Sequence, residues 1–301
     1  MSDLDAPIPR RRGGELLRSE NGRVRLGWRL SGFLAMALLI VVLGAAVLPA
    51  GGQSGSVALL AGAVGSGWLL LGLEGRSFGA LGFHLSRETL SEAGKGLALG
   101  VGIGSVVVAV MALAGGVRWS SEGGSAGAWL WGGMAATVVL ALPAAAEEAL
   151  LRGYPLQALS EAWGAGKALV VTAVAFGVLH AWNPGAGLLS MGNVAAAGLL
   201  LGVVYLRTGS LWWATGVHLG WNWSHGYLAD VPVSGLEVLD APMYQGVPSG
   251  PEWLGGGSFG PEGSVVATVV VLSATALCWW GPWLWPGAAV LAAQPLSLVQ
   301  R

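Results

Sequence analysis

Apolar residues in this chain come in long continuous runs that never settle into the strict alternation of a half-buried strand. A helix needs about 20 mostly apolar residues, at about 1.5 Å each, to cross a hydrocarbon core of roughly 30 Å. Eight stretches approach that length: 28 to 50, 55 to 73, 94 to 115, 127 to 151, 166 to 182, 187 to 206, 210 to 228 and 264 to 287. A spanning helix bonds all of its own backbone, so helices are predicted throughout. The pattern therefore predicts an all-α, polytopic integral membrane bundle of about eight transmembrane helices. Residues 1–27 read as a polar tail, 28–287 as the membrane domain and 288–301 as a second tail. The long connection from 229 to 263, rich in Gly and Pro, reads as irregular.

Charge then orients the bundle. Arg10, Arg11, Arg12, Arg18, Arg23, Arg25 and Arg29 precede or begin the first run, which predicts a cytoplasmic N-terminus by the positive-inside rule. With eight crossings, Arg76, Arg87, Lys95, Arg152, Lys167, Arg207 and Arg301 also fall inside, Arg118 falls outside, and the C-terminus is cytoplasmic. The 229–263 connection, with five carboxylates and no Lys or Arg, lies outside. Composition agrees: 54% of residues are hydrophobic and 10% charged, against about 25% charged in soluble domains. The expected partner is a lipid bilayer, in a bacterial cytoplasmic membrane, with no nucleic acid. Cys278, the single cysteine, excludes an internal disulfide and a Cys-rich metal site. The basic N-terminus reads as preceding a first anchor and not a cleaved signal, because the first run is long and further runs follow.

Polar side chains inside apolar runs carry most of the functional information, because an ionisable group at membrane depth costs about 2.5–3.5 kcal/mol or more and so faces a cavity or a partner. In "AAAEEALLRG" (144–153), Glu148 and Arg152 are four apart and share a helical face, with the acid on the favoured N-terminal side. Glu147 is turned about 100° away. In "FGVLH", Phe176 and His180 share a face. In "HLGWNWSH", His218, Asn222 and His225 fall along one stripe. Each stretch also has a plainer reading: snorkelling charges for the first, a packed core imidazole for the second, interhelical hydrogen bonding for the third.

In order, Glu-Glu-x-x-x-Arg, Phe-x-x-x-His and His-x-x-x-Asn resemble the CPBP family of intramembrane proteases, which includes the type II CAAX prenyl endopeptidases and bacteriocin-processing or immunity-type members. The resemblance covers roughly residues 127–228. It implies an intramembrane endopeptidase acting on a membrane-associated peptide or protein, with Glu147, Glu148, Arg152, His180, His218 and Asn222 as site residues. Glu147 is the candidate general base for a water molecule. His180, His218 and Asn222 are candidate ligands of a divalent metal, zinc being the default for imidazole-rich hydrolytic sites. Without a metal, His218 and Asn222 would polarise the scissile carbonyl. Glu148 serves as a further ligand or as the partner of Arg152. A proton- or ion-coupled transporter, or a catalytically silent immunity or scaffold member of the family, would use the same residue types.

The predicted helix ends set a condition on this site. Glu147 falls near the cytoplasmic edge of the fourth span, whereas His180 falls about 20 Å from the start of the fifth. For them to meet, the fourth helix must bend at Pro143 and the fifth must begin below the membrane surface, within residues 156–167.

Overall fold

The computed structural model describes residues 17–18 and 22–293, so most of the two predicted tails, 1–27 and 288–301, lies outside the described residues. The chain is mostly helical: α1 (Leu26–Val47), α2 (Ser54–Leu73), α3 (Thr89–Leu113), α4 (Ala126–Glu148), α5 (Tyr154–Trp163), α6 (Ala165–Leu179), α7 (Leu188–Thr208), α8 (Leu211–Trp223) and α9 (Val265–Trp280). Five helical units are long and apolar enough to cross a membrane: α1, α2, α3, α7 and a continuous 38-residue unit, Ala126–Trp163, that joins α4 to α5. The other three predicted spans are shorter helices, of 15 residues in α6, 13 in α8 and 16 in α9. Helix α6 stops at His180, where the chain turns through Asn183, Pro184 and Gly185. Helix α8 is buried without interruption from Ala214 to Trp221, so neighbouring helices and not lipid surround it.

Two sequence expectations are corrected. The fourth helix does not end at residue 151 but runs on through a π-helical turn, Ala149–Gly153, into α5. Pro155 has no N–H to offer the Leu151 carbonyl, and the regular ladder gives way just before it. The bundle also carries a small sheet: Val117–Ser121 (β1) pairs antiparallel with Tyr244–Pro248 (β2), Val117 opposite Pro248 and Ser121 opposite Tyr244. Part of the connection read as irregular is therefore ordered against β1, and the Trp119 indole donates to the Ala229 carbonyl at 2.8 Å.

At the opposite end of the bundle, charge ties the helices together. Arg29, in the first turn of α1, is buried; its Nε donates to the Tyr154 hydroxyl at 2.8 Å, and its guanidinium lies 2.6 Å from Glu161 and 2.9 Å from Glu74. The Tyr154 hydroxyl donates in turn to Glu74 at 2.5 Å. A buried charge persists only when paired in this way, and here the pairing locks α1, α2 and α5 at one level. Arg207, at the end of α7, donates to the Gly281 carbonyl at 3.1 Å just beyond α9.

The tightest helix crossing joins α3 to α8. Gly96 and Gly100 on α3 face Gly216 and Gly220 on α8, and a Cβ at any of the four would collide with the opposing backbone: the carbonyls of Trp213, Val217, Ala93 and Leu97 respectively. Small residues four apart on both partners permit such an approach between membrane helices. The crossing fixes the backbone on either side of His218. Replacing Gly100 with Leu is expected to lower stability by about 3 kcal/mol or more, because the facing group is backbone and cannot be repacked. Gly102→Leu, on a side of α3 with nothing within 4 Å, is expected to leave stability unchanged. The thermal midpoints of the two variants in one detergent check the contrast.

Candidate active site

A single-residue corner sets the depth of the site. Helices α5 and α6 meet at Gly164, whose φ of 85° is readily available only to glycine, and they run back against each other. Glu147 stands seventeen residues before that corner and His180 sixteen after it, so at 1.5 Å per residue both lie roughly 25 Å from the turn. Arg152 and Phe176 each stand twelve residues from it and meet in the same way, with the guanidinium carbon 4.5 Å from the ring centroid. The continuation of the fourth helix through α5 thus removes the depth conflict raised by the predicted spans. Pro143 lies inside α4 and lines the cavity described below.

Glu148 and Arg152 have no exposed surface. Arg152 Nη1 lies 3.1 Å from Glu148 Oε1, and Nη2 donates to the Gly198 carbonyl of α7 at 2.9 Å. The same Glu148 oxygen lies 3.0 Å from Nδ1 of His218. Arg152 thus holds Glu148, and Glu148 holds an imidazole on another helix. That contact leaves Nε2 of His218 on the far side of the ring, 3.9 Å from Glu147 Oε2.

His180 is secured through the same nitrogen. It caps α6, and its Nδ1 lies 2.8 Å from the Phe176 carbonyl, an acceptor, so Nδ1 carries the hydrogen. Its Nε2 then lies 4.0 Å from Glu147 Oε2. The Phe176 ring packs edge-on against both imidazoles, with centroids 4.7 Å from His180 and 5.7 Å from His218. Two ring nitrogens and one carboxylate oxygen therefore converge on one point, and among the described residues Glu147 Oε2 has no hydrogen-bond partner although it is buried.

That point opens into a cavity of about 590 Å³. Leu140, Leu150, Leu200, Leu201 and Val217 make its walls largely apolar, and Glu147, His180, His218 and Asn222 lie on it. Asn222 is half-buried, one turn beyond His218 on α8. The structure thus brings five of the six candidate residues to one connected network and sets Asn222 on the same cavity. His225 does not extend the stripe of His218 and Asn222. It lies in a second π-helical turn, Ser224–Leu228, fully buried with its ring centroid 4.4 Å from that of Trp221. Asn183, Ser234 and Glu262 also line the cavity and escaped the sequence reading; Glu262, at the end of the acidic connection, accepts from the Trp221 indole at 2.8 Å.

The donors suit a metal in kind. Each imidazole donates through Nδ1 and presents Nε2, as metal-bound histidines do, and Glu147 offers an unpartnered oxygen. Their separations of 3.9 and 4.0 Å exceed the roughly 3.3 Å between neighbouring ligands of a tetrahedral zinc with bonds of about 2.0 Å. Among the described residues no three His, Cys, Asp or Glu side chains form a closed set for a metal ion.

Residues 126–224, about a third of the chain, match the family described as Type II CAAX prenyl endopeptidase Rce1-like. The match contains all six candidate residues. No curated protein and no solved structure matches the chain.

Removing one partner of the buried pair leaves a charge without compensation. Arg152→Met, close to isosteric along the stem, is expected to cost about 3–5 kcal/mol. The double variant Glu148→Gln with Arg152→Met is expected to recover part of that loss, and a double-mutant cycle on thermal unfolding in detergent measures the coupling.

Proposed function

We propose that this chain, a CAAX-type protease of the CPBP family over residues 126–224, is an intramembrane endopeptidase in which Glu147 activates a water molecule. The observation that supports this most is the convergence of Glu147 Oε2, His180 Nε2 and His218 Nε2 at one end of an apolar cavity. An apolar segment of a membrane-associated peptide or protein suits the walls, and its scissile bond would lie at the polar end. The basic ends of α1 and α7 face the cytoplasm in this reading, and the sheet and the acidic connection face outward.

The hydrogen-bond pattern divides the labour. With its Nδ1–H donated to a backbone carbonyl, His180 turns Nε2 toward the water, from which it accepts in this reading. Glu147 takes the proton as the water oxygen bonds to the carbonyl carbon. His218, held at Nδ1 by Glu148, presents its other ring nitrogen to the carbonyl. Its Nε2–H, with the Asn222 amide, then donates to the developing oxyanion. Glu147 returns the proton to the departing nitrogen as the C–N bond breaks. In a second reading, supported by the Nδ1 anchoring of both histidines, His180, His218 and Asn222 would hold beside Glu147 a divalent metal, which would supply a bound water of lowered pKa and a polarised carbonyl.

Glu147→Gln keeps the shape of the side chain and removes the base. It is expected to lower the cleavage rate of a membrane-reconstituted peptide substrate by about 10²–10⁴-fold with thermal stability unchanged. Unaltered cleavage by this variant would remove the mechanism. Elemental analysis of the purified protein decides between the two readings: a stoichiometric divalent ion whose chelation abolishes cleavage supports the second, and metal-independent cleavage supports the first.

A further inference from the structure

The connection beyond the matched segment ends in Glu262, a buried carboxylate that the proposed reaction does not use. Its two oxygens are both engaged. The Trp221 indole N–H donates to Oε1 at 2.8 Å, while the backbone N–H and the hydroxyl of Ser234 both donate to Oε2 at 2.6 Å. Asn193 of α7 donates to the Glu262 backbone carbonyl at 2.8 Å. The carboxylate is therefore held at both oxygens, and its backbone by Asn193, within the wall of the cavity.

Ser234 begins a tight turn. Val233 and Leu236 exchange backbone hydrogen bonds at 3.0 and 2.9 Å, and the two residues between them, Ser234 and Gly235, have φ of 48° and 79°. A non-glycine residue in the left-handed region costs about 1–3 kcal/mol and persists where its surroundings hold it. Ser234 is held from both sides. Opposite Glu262, the Asn183 amide donates to the Ser234 carbonyl at 2.9 Å, and Gly235 lies so close to the Pro184 carbonyl that a Cβ would collide with it. Asn183 is three residues beyond His180, and Trp221 is three residues beyond His218.

We infer that Glu262 and the Val233–Leu236 turn form a clasp that fixes the spacing of the two histidine-bearing helices and closes one end of the substrate cavity. Glu262 grips α8 at Trp221, and through Ser234 it reaches Asn183 at the end of α6. It is a positioning residue: it reaches the reacting atoms only through the helices it joins. Its catalytic consequence rests on the proposed protease reading, but the clasp itself does not.

The test uses the full chain in detergent or liposomes, comparing wild type with Glu262→Gln and Ser234→Ala. A glutamine cannot accept from both Trp221 and Ser234, since one end of its amide is itself a donor. Amide hydrogen exchange across 180–186 and 231–238 is expected to quicken about tenfold in both variants, with exchange around Tyr154 and Gln157 unchanged. Unaltered exchange in both segments would overturn the clasp. In the cleavage assay kcat is expected to fall by on the order of 10²-fold for Glu262→Gln, with KM within about threefold of wild type. If wild type cleaves and Glu147→Gln does not, a wild-type kcat in Glu262→Gln overturns the positioning role and leaves the protease reading intact. If wild type does not cleave, that reading fails and hydrogen exchange alone decides the clasp. Should Glu262→Gln not fold, Ser234→Ala keeps the carboxylate and the backbone donor, and the same outcomes apply to it.

Discussion

A carboxylate and a guanidinium with no exposed surface sit at the crossing of four helices. Taking either ion from water costs several kcal/mol, which only close pairing and further hydrogen bonds offset. Arg152 meets that demand with a planar fork: one nitrogen for Glu148, another for the Gly198 carbonyl, and a flat face for Phe176. A lysine, with one compact charge, could not reach all three in this way. Glu148 then spends the oxygen that faces Arg152 on His218 as well. The pair therefore acts as a joint between α4, α6, α7 and α8, and the orientation of the His218 ring depends on it.

Local spacing made much of this legible. The four-residue interval in Glu148 and Arg152, in Phe176 and His180, and in His218 and Asn222 is a property of the helix itself, so the sequence is enough to see which side chains share a face. Depth was not legible, because apolarity alone marks where a span ends. Gln157, Ser160 and Glu161 make α5 look like the start of a cytoplasmic loop. Gln157 and Glu161 are tolerated inside the fold because Gln157 donates to the Ala80 carbonyl and Glu161 pairs with Arg29, partners more than seventy residues away in the chain. The β1–β2 pairing joins residues still further apart in the chain, and the contacts that grip Glu262 come from Asn193, Trp221 and Ser234, outside any local helical spacing. The glycine crossing lay in plain view as "GKGLALG" and "GVHLG", yet in a chain with 51 glycines that spacing recurs often and points nowhere alone.

Most of the molecule serves to bring two short helices to the same level. Helices α6 and α8 carry the histidines and are too short to be ordinary spans. One is set by the Gly164 corner and the other by the close α3 crossing, so both are positioned by backbone contact, which does not repack. The cavity between them has largely apolar walls.

In the proposed mechanism two adjacent glutamates of identical chemistry take different roles because their environments differ. Glu148 is wholly buried and bound to Arg152 and His218, so its charge is committed to structure. Glu147, one residue earlier and about 100° around the helix, is 31% exposed and has an oxygen without a partner among the described residues. A base must be able to gain and lose a proton within reach of a substrate, and a group locked in an ion pair cannot do so without breaking it. Under the proposed mechanism, the same pair that immobilises Glu148 leaves Glu147 as the carboxylate that meets the water at the cavity wall.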